Sequence, residues 1–446
     1  MKRKIKINLQ VIIEYLLAIT IVFNCNSVYA AALKDYHLNE IAAILTGALV
    51  ATGVVKGGAN KRLVNKWLGL FSVYYVLMLA YMIASVPGES ILGFVSRFII
   101  FIPFMALYLS MLAKKNQQNR LLTALINVMV ALSVISVFFW FFGSLLHILH
   151  PNMSIEAHWG RDFTFPGYFG VYFERQTINL FSFSGYRNDG IFTEGPMHSL
   201  CLVVALAALF LLDDYSLKGR LKKASRRKAA VLIVALVTVM SLTGYAMLAG
   251  LFFYRFITAK SRNRASLGFR VIVAAFIIVI GGLAVAALFV EKQQTSSWLI
   301  RLDDLQAGMK AWLAAPIFGN GYGSYAVEKY MSAFRWWNTG FSSALLSVLS
   351  QGGLVLFSVY LFAFIFGFKN AIKARNKSMV AFVGVILLEL IVTTVHFTFL
   401  ILFLLAYCYM LQIQPLAAKK RAAVRTMESQ EPTGETEHTV WRKHER

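Results

Sequence analysis

The sequence predicts an all-α, polytopic integral membrane protein with about 12 transmembrane helices and two large external loops. Hydrophobic residues make up 58% of the 446 residues and charged residues only 15%, whereas a typical soluble domain carries about 25% charged residues. A mean hydropathy of +0.63 leaves too little polar surface for a water-soluble body. Together these values exclude a soluble enzyme, a disordered chain and a secreted disulfide scaffold.

Long apolar runs are the main source of the predicted spans. A helix needs about 20 apolar residues to cross the hydrocarbon core of a bilayer. The runs that reach or approach this length are 9–32, 39–55, 67–85, 91–112, 121–147, 197–212, 229–257, 270–290, 341–368 and 378–413. Because these runs do not show the ten-residue alternation of a membrane barrel, every span is expected to be helical.

Basic residues give the predicted sidedness. Most of the 44 Lys and Arg residues lie in short stretches between apolar runs, and basic loops of membrane proteins remain in the cytoplasm. The formal net charge of +23 therefore indicates topology and not nucleic-acid binding. The prediction is a multi-pass protein of the cytoplasmic membrane with both termini in the cytoplasm.

Two apolar runs have basic stretches on both sides, so each is expected to cross twice or to re-enter. In the run 229–257 the break is predicted at 241–245, and in the run 378–413 the turn is predicted near 393–398. Two arrangements remain open: twelve crossings, or eight crossings with two re-entrant hairpins.

The chain divides into a membrane domain, residues 1–413, and a basic cytoplasmic tail, residues 414–446. The large external loops are placed at about 148–196 and 291–340. The N-terminus resembles a signal peptide, but Glu14 interrupts its apolar stretch, which favours a retained first span. Cys25, Cys201 and Cys408 all lie in apolar runs, so neither a disulfide nor a metal site is expected.

The first external loop combines acids, arginines and many aromatic residues. Its rings indicate either an interfacial aromatic belt or a platform on which sugar rings stack. Asp189 and Glu194 are candidate proton acceptors, with His198 as an alternative. Glu194 has a second interpretation, as a cap of the span that follows it.

The second external loop predicts an amphipathic helix from Arg301 through Trp312 that ends at Pro316. Spacings of three and four residues place one apolar face on Leu302, Leu305, Met309 and Trp312. The glycine-rich segment 319–325 follows. It is either a turn or a place where backbone N–H groups, including that of Gly321, come close to a phosphate.

Arginine outside the cytoplasm is sparse and points to anion binding. A pyrophosphate is best held by planar, permanently charged donors. The candidates are Arg97, Arg175, Arg187, Arg301 and Arg335. Arg97 lies inside a predicted span, where it either extends to the headgroups or lines a site for a lipid phosphate.

Three features together resemble the O-antigen ligase and polymerase superfamily, closest to capsular or exopolysaccharide repeat-unit polymerases. The first is the layout of about twelve helices with two large outer loops. The second is Arg187-x-x-Gly-x-x-x-Glu194-Gly-Pro, which runs directly into a span. The third is the second loop, with Arg301, Trp312, Pro316 and a Gly-x-Gly-x-Gly segment, followed by a Leu-rich stretch that ends in Gly353-Leu354.

The resemblance implies a membrane glycosyltransferase of polysaccharide biosynthesis. Its substrate would be an undecaprenyl-pyrophosphate-linked oligosaccharide, and the growing glycan would pass to a new repeat unit on the outer face. Neither a cofactor nor a metal is implied, because the pyrophosphate linkage supplies the free energy. Membrane lipid, a chain-length regulator and a flippase are the partners expected; nucleic acid is not.

The resemblance also suggests roles for individual residues. Arg187 and Arg301 would bind the donor pyrophosphate, with Arg175, Arg335 and Arg97 as weaker candidates for the same task. In ligases a His-Asn pair commonly opens the Leu-rich stretch, whereas Ser342-Ser343 stand there in this chain, which argues against a ligase. Three alternatives remain: a ligase of the same superfamily, a transporter of polysaccharide or lipid-linked oligosaccharide, and an assembly protein whose loops dock partners while its arginines contact lipid.

Overall fold

The computed structural model describes residues 8–32, 38–85, 91–159, 161–180, 183–212, 215–217, 220–258, 268, 296–335 and 340–415. The chain is mostly helical. Five helical segments are long and apolar enough to cross a membrane, namely Leu38–Val55, Lys61–Ala84, Ile91–Ala113, Arg120–Leu145 and Ala344–Lys373. This confirms a helical membrane protein. Twelve crossings remain a prediction, since the run 270–290 and nearly all of the tail lie outside the described residues.

The described helices follow the apolar runs closely. Their bounds are α1 Leu9–Phe23, α2 Val28–Ala32, α3 Leu38–Val55, α4 Lys61–Ala84, α5 Ile91–Phe94, α6 Ile102–Ala113, α7 Arg120–Phe139, α8 Gly195–Leu211, α9 Lys223–Val239, α10 Leu242–Thr258, α11 Ser296–Ala314, α12 Ala344–Lys373, α13 Lys377–Val392 and α14 Phe399–Ile413. Short 3₁₀ turns cover Ala326–Tyr330 and Ala333–Arg335.

Two π-helical segments interrupt this pattern. Val95–Phe101 joins α5 to α6, and Trp140–Leu145 extends α7. Single π turns are rare in proteins and often mark functional positions. The first segment carries Arg97, whose side chain bonds to Tyr322. The second carries Ser144, whose side chain bonds to Glu174 of the loop that precedes α8.

The core of the bundle is formed by α8 and α14, whose side chains are buried almost without exception. The helix α14 packs against α6 and α12, and α8 packs against α9, α10 and α13. The outer helices instead expose large aliphatic side chains, as on α4. In a membrane protein this exposed apolar surface faces lipid.

The helices break inside both runs that have flanking basic stretches, but the first break lies at 240–241 and includes only Ser241 of the predicted 241–245. The helix α9 ends at Val239 and α10 begins at Leu242. Met240 between them has a positive φ of 54°, which stops the first helix. The helix α13 ends at Val392 and α14 begins at Phe399, so the second turn occupies the predicted 393–398.

The loop 148–196, predicted to be external, departs from the all-α prediction. It forms the antiparallel strands β1 Met153–Trp159, β2 Arg161–Tyr168 and β3 Tyr172–Phe173, in the order β1-β2-β3, and the hairpin β4 Thr177–Leu180 with β5 Phe183–Tyr186. A further two-residue pair, β6 Ser216–Leu217 with β7 Arg220–Leu221, follows α8. Phe165 and Phe173 are buried against Val28 and Ala31 of α2. Aromatic residues at alternating positions suit a half-buried sheet, so this loop folds as strands that cover α2.

The helix α12 is broken at Gly353, which has a φ of 57° and a ψ of −159°. In a continuous helix the N–H groups of Leu354 and Val355 would donate to the carbonyls of Ser350 and Gln351. Here they donate to Pro316 O (2.9 Å) and Ile317 O (3.1 Å). The segment 316–321 therefore supplies the acceptors that the helix lacks.

The same segment also supplies the missing donors. Asn320 N–H donates to Ser350 O (2.8 Å) and Gly321 N–H donates to Gln351 O (3.0 Å). Backbone groups must be paired in hydrocarbon, and this exchange pairs all four at the break. The expectation that the Gly321 amide approaches a phosphate is therefore wrong, because that amide is occupied by α12.

Replacing Gly353 by Ala is expected to displace segment 316–321 from α12. The added Cβ would overlap Ile317 C and O and lie 2.6 Å from Gly319 N, at a positive φ. Backbone strain and overpacking together should lower the free energy of unfolding by about 2–5 kcal/mol. Gly384→Ala on α13 is the matched control, because its Cβ would meet open space. Thermal unfolding in detergent should separate the two variants, and equal midpoints would contradict this account of the break.

Candidate functional site

The predicted residues of the first loop converge where this loop meets the α9–α10 break. Gln176 lies at the centre of the contacts. Its side-chain oxygen accepts hydrogen bonds from Arg187 Nη1 (3.2 Å) and from Gly195 N (3.2 Å). Its backbone N–H donates to Asp189 Oδ2 (3.0 Å). One glutamine therefore links the loop to the beginning of α8.

Arg187 is held at the C-terminal end of α9. Its Nε donates to Val239 O (2.9 Å) and its Nη2 to Met240 O (2.8 Å). A guanidinium at this position pairs otherwise unsatisfied carbonyls and interacts favourably with the helix dipole. Together with the Gln176 contact these bonds use three of the five N–H groups, so two are left for a ligand.

Arg175 contacts the residues that lead into α8. Its Nη1 donates to Thr193 O (2.6 Å) and contacts Glu194 Oε1 at 3.4 Å. The guanidinium also lies over the ring of Phe163, 4.4 Å from its centroid. Backbone and ring contacts fix the position of the charge, while the long carboxylate contact is the weakest of the three.

Asp189 is fully buried between the two arginines. Burial raises its pKa to about 8 and outweighs the Gln176 N–H and the charges of Arg187 and Arg175, which act in the opposite direction. Its Oδ1 has no hydrogen-bond partner among the described residues. At neutral pH Asp189 is therefore mainly protonated, and it is not a free base.

The elevated pKa of Asp189 predicts a pH dependence of folding stability. The folded chain keeps a proton on Asp189 that the unfolded chain releases near its ordinary pKa of about 4, so stability falls as the pH rises from about 4 to 8. The slope from this group is at most about 1.4 kcal/mol per pH unit. Asp189→Asn should reduce the difference between unfolding midpoints at about pH 5 and about pH 7, whereas Glu156→Asp, at an exposed position of β1, should leave it unchanged.

Glu194 and His198 occupy the first turns of α8 in different surroundings. Glu194 is the N-cap residue, its side chain is 27% exposed, and it makes no capping hydrogen bond with that side chain. His198 is fully buried; its Nδ1–H donates to Asn188 O (3.0 Å) and its ring stacks on Phe192. Of the three predicted proton acceptors, only Glu194 is accessible from outside.

Sequence reasoning missed two residues of this site. Gln176 makes the central contacts described above. Asn188 is fully buried, and its Nδ2 donates to Thr238 Oγ1 (2.8 Å) and Ser136 Oγ (3.3 Å). Nothing in the local pattern distinguishes these amides from other polar loop residues, since their partners lie tens of residues away.

A further buried acid anchors the loop to α7. Glu174 accepts from Ser144 Oγ (2.7 Å) and from Tyr168 OH (2.9 Å), and Tyr172 OH also bonds to Ser144 (2.7 Å). Burial and the nearby Glu174 carboxylate raise the pKa of Tyr168. These contacts hold the sheet against the π segment of α7 and so position Arg175, the next residue along the chain.

Arg97 lies in a separate cluster. Its Nη1 donates to Tyr322 OH (2.6 Å), and its guanidinium lies 5.6 Å from the ring centroid of Phe399. Its buried Nε has no partner, and no described acidic residue pairs with it. The structure therefore places Arg97 beside the segment that docks on α12, and no described contact connects it to Arg187.

The two remaining arginines differ sharply from each other. Arg301 is exposed on α11. Arg335 is fully buried, and its Nη1 pairs with Asp304 Oδ1 (2.6 Å) and Asp303 Oδ2 (3.2 Å). Because its charge is already compensated, Arg335 does not fit the predicted substrate-binding role.

The predicted apolar face of α11 lies on the exposed side of the helix. Leu302, Leu305 and Met309 are exposed, and the helix instead buries Asp303, Asp304, Ala307 and Ala311. The carboxylates are drawn inside by Arg335 and by the Ser332 and Ser342 hydroxyls and N–H groups.

Among the described residues, no group of three or more His, Cys, Asp or Glu side chains is arranged to hold a metal ion. At the start of α8 the guanidiniums of Arg175 and Arg187 lie near the partly exposed carboxylate of Glu194. Such a set can hold a phosphate and accept a proton. Neither a family model nor a curated protein matches this sequence.

Proposed function

We propose that this protein is a membrane glycosyltransferase that polymerises lipid-linked oligosaccharide repeat units on the outer face of the cytoplasmic membrane. The growing glycan would pass from undecaprenyl pyrophosphate to the terminal sugar of a new repeat unit. One observation carries the proposal: Arg175, Arg187 and Glu194 meet around Gln176 where a membrane bundle begins. The resemblance to repeat-unit polymerases, read from the same residues, adds the substrate class.

The proposed step balances without a cofactor. A hydroxyl oxygen of the acceptor sugar bonds to the anomeric carbon of the donor, and the bond from that carbon to the pyrophosphate oxygen breaks. The hydroxyl proton passes to Glu194, and undecaprenyl pyrophosphate leaves with the electron pair. The negative charge that develops on the leaving oxygen is stabilised by Arg187 and Arg175.

Glu194 is preferred as base for a physical reason. A general base must reach the proton that it abstracts, and Asp189 and His198 are buried behind the loop. The Glu194 side chain is 27% exposed, and it lies 3.4 Å from Arg175 Nη1. The proposal therefore makes Asp189 and His198 positioning residues and leaves Arg301 outside the site.

A ligase is the first alternative. Ser342 and Ser343 stand where the resemblance places the His-Asn pair of ligases. Ser342 donates to Asp304 through its N–H and its hydroxyl, and Ser343 caps α12. Both serines are therefore used in structural contacts, and this favours the polymerase.

A transporter is the second alternative, and the break in α12 is the observation that favours it. Transporters commonly bind substrate at the exposed ends of broken helices near mid-membrane. Here, however, segment 316–321 occupies the four backbone groups at the break. A substrate would have to displace this segment, so the enzyme is the better supported function.

The test is a gel profile of surface polysaccharide from cells that lack the gene. We expect single repeat units on lipid, and a restored ladder with wild type but not with Glu194→Gln. Glu156→Gln, an exposed acid of the same loop, should restore it. A ladder that stays on its lipid carrier would indicate a ligase, and units trapped inside the cell would indicate a transporter. An unchanged profile would contradict the enzyme altogether.

A further inference from the structure

The helix α11 carries a continuous stripe of exposed aliphatic side chains. The exposed members are Leu299, Leu302, Leu305, Met309 and Leu313, between 38% and 62% accessible, and Ile317 extends the stripe just beyond the helix. At about 1.5 Å per residue the helical part of the stripe, from Leu299 to Leu313, is roughly 21 Å long. Soluble surfaces scatter such residues singly, so a stripe of this length needs an apolar environment.

The polar side of α11 is the buried side. Asp303 and Asp304 are buried and both pair with Arg335, and Ala307 and Ala311 are buried on the same helix. The helix contains two further charged residues, Arg301 and Lys310, and both are exposed. Although the formal charges of α11 cancel, its outer surface is positive.

The two exposed cations lie at the borders of the stripe. At about 100° per residue, the aliphatic residues cover an arc of roughly 120°, with Arg301 about 40° beyond one edge and Lys310 about 20° beyond the other. Long basic side chains at the edges of an apolar face reach toward lipid phosphates while the face itself enters the acyl region.

We propose that α11 lies in the plane of the membrane as an interfacial helix, with its aliphatic stripe in lipid and Arg301 and Lys310 on anionic headgroups. The occupant of the stripe is the lipid surface, because α11 packs on α12. That helix can span a membrane and exposes Leu354, Leu361 and Ile365. A second copy of the chain is disfavoured, since docking through this stripe would bring four cations together.

This proposal is independent of the glycosyltransferase activity. It assigns the exposed Arg301 to lipid rather than to the reaction, and its readout requires no substrate. The test uses the full chain in nanodiscs that contain phosphatidylglycerol. The buried Cys25, Cys201 and Cys408 are replaced by Ala, and folding is checked by thermal unfolding.

An environment-sensitive fluorophore is attached to Leu305→Cys or to Lys329→Cys. Lys329 is the matched control, because it is exposed on the 3₁₀ turn that packs on the opposite, buried side of α11. Lipids with a quencher on the acyl chain should quench the label at 305 at least about threefold more than the label at 329. Met309→Cys provides a second position if the first variant fails to fold.

The cationic edges give a second readout. Replacing Arg301 and Lys310 by Gln, or replacing phosphatidylglycerol by phosphatidylcholine, should reduce quenching at 305. Equal quenching at 305 and 329 would overturn the proposal. So would cross-linking of two copies through 305 without quenching, which would assign the stripe to a dimer.

Discussion

On the proposed function, replacing Arg187 by Gln is expected to slow the transfer of repeat units about 10²- to 10³-fold, the usual effect of removing one group that stabilises charge in a transition state. Arg187 has two N–H groups beyond those that bind Val239, Met240 and Gln176, and these are the ones assigned to the pyrophosphate. The measurement is the initial rate of chain elongation by the purified protein in nanodiscs, with lipid-linked repeat units extracted from the deletion strain.

Matched variants separate the chemistry from the fold. Arg187→Lys keeps the charge but loses the planar donor set, so an intermediate rate is expected. Arg226→Gln, an exposed arginine at the start of α9, should retain the full rate. The unfolding midpoints of the variants are compared as well, because substitution of Arg187 removes the hydrogen bonds to Val239 O and Met240 O and could also lower stability. If a folded Arg187→Gln protein elongates chains at the wild-type rate, Arg187 does not have the proposed role in the reaction.

The second large effect is expected at Arg335. Arg335→Met leaves Asp303 and Asp304 buried beside each other without their cation, and breaking a buried ion pair in this way costs about 3–5 kcal/mol. Amide hydrogen exchange in α11 should accelerate about 10²- to 10⁴-fold as a result. Exchange followed by mass spectrometry reports this local stability directly.

The stability that Arg335→Met loses should depend on pH in a defined direction. Burial alone would raise the pKa of Asp303, but the Ser332 bonds and the Arg335 charge outweigh it and lower that pKa. A carboxyl group whose pKa is lowered by folding stabilises the folded state at pH values above its ordinary pKa. This stabilisation disappears as the pH falls through the pKa of the folded state. The difference between wild type and Arg335→Met should therefore be largest near neutral pH and shrink in acid.

Two controls make the Arg335 result specific. Arg301→Met removes an exposed arginine from the same region, and its effect should stay within about 0.5 kcal/mol. Combining Arg335→Met with Asp303→Asn and Asp304→Asn removes all three charges and should recover most of the protection. If the triple variant exchanges as fast as Arg335→Met, the ion cluster is not the cause of the loss.

Much of the architecture follows from the one-dimensional pattern of apolar runs and basic stretches. The breaks near Ser241 and at 393–398 were predicted because a run with basic stretches on both sides must turn back. The sequence places Arg175, Arg187, Asp189 and Glu194 in one loop, but the resemblance pairs Arg187 with Arg301 and gives Arg175 a weaker role. The separate roles of Glu194 and Asp189 do not follow from the sequence, because they depend on which of the two side chains the folded loop leaves exposed.

Helical periodicity was informative about α11 but not about its orientation. It predicted a helix that ends before Pro316 and an apolar face on Leu302, Leu305 and Met309. The spacing alone does not say whether that face points toward the protein or toward lipid. In a membrane protein an apolar face can point outward to lipid, and the partner that draws Asp303 and Asp304 inward, Arg335, lies about thirty residues away.

The sequence by itself determined the helical membrane class, the positions of the breaks and the loop that holds the candidate site, because hydropathy and charge act locally along the chain. Only the tertiary structure decided the burial of Asp189, the pairing of Arg335 and the exchange of hydrogen bonds at Gly353. Each depends on groups that are distant in sequence and meet only when the chain packs, so that burial and partner together set their charge and availability.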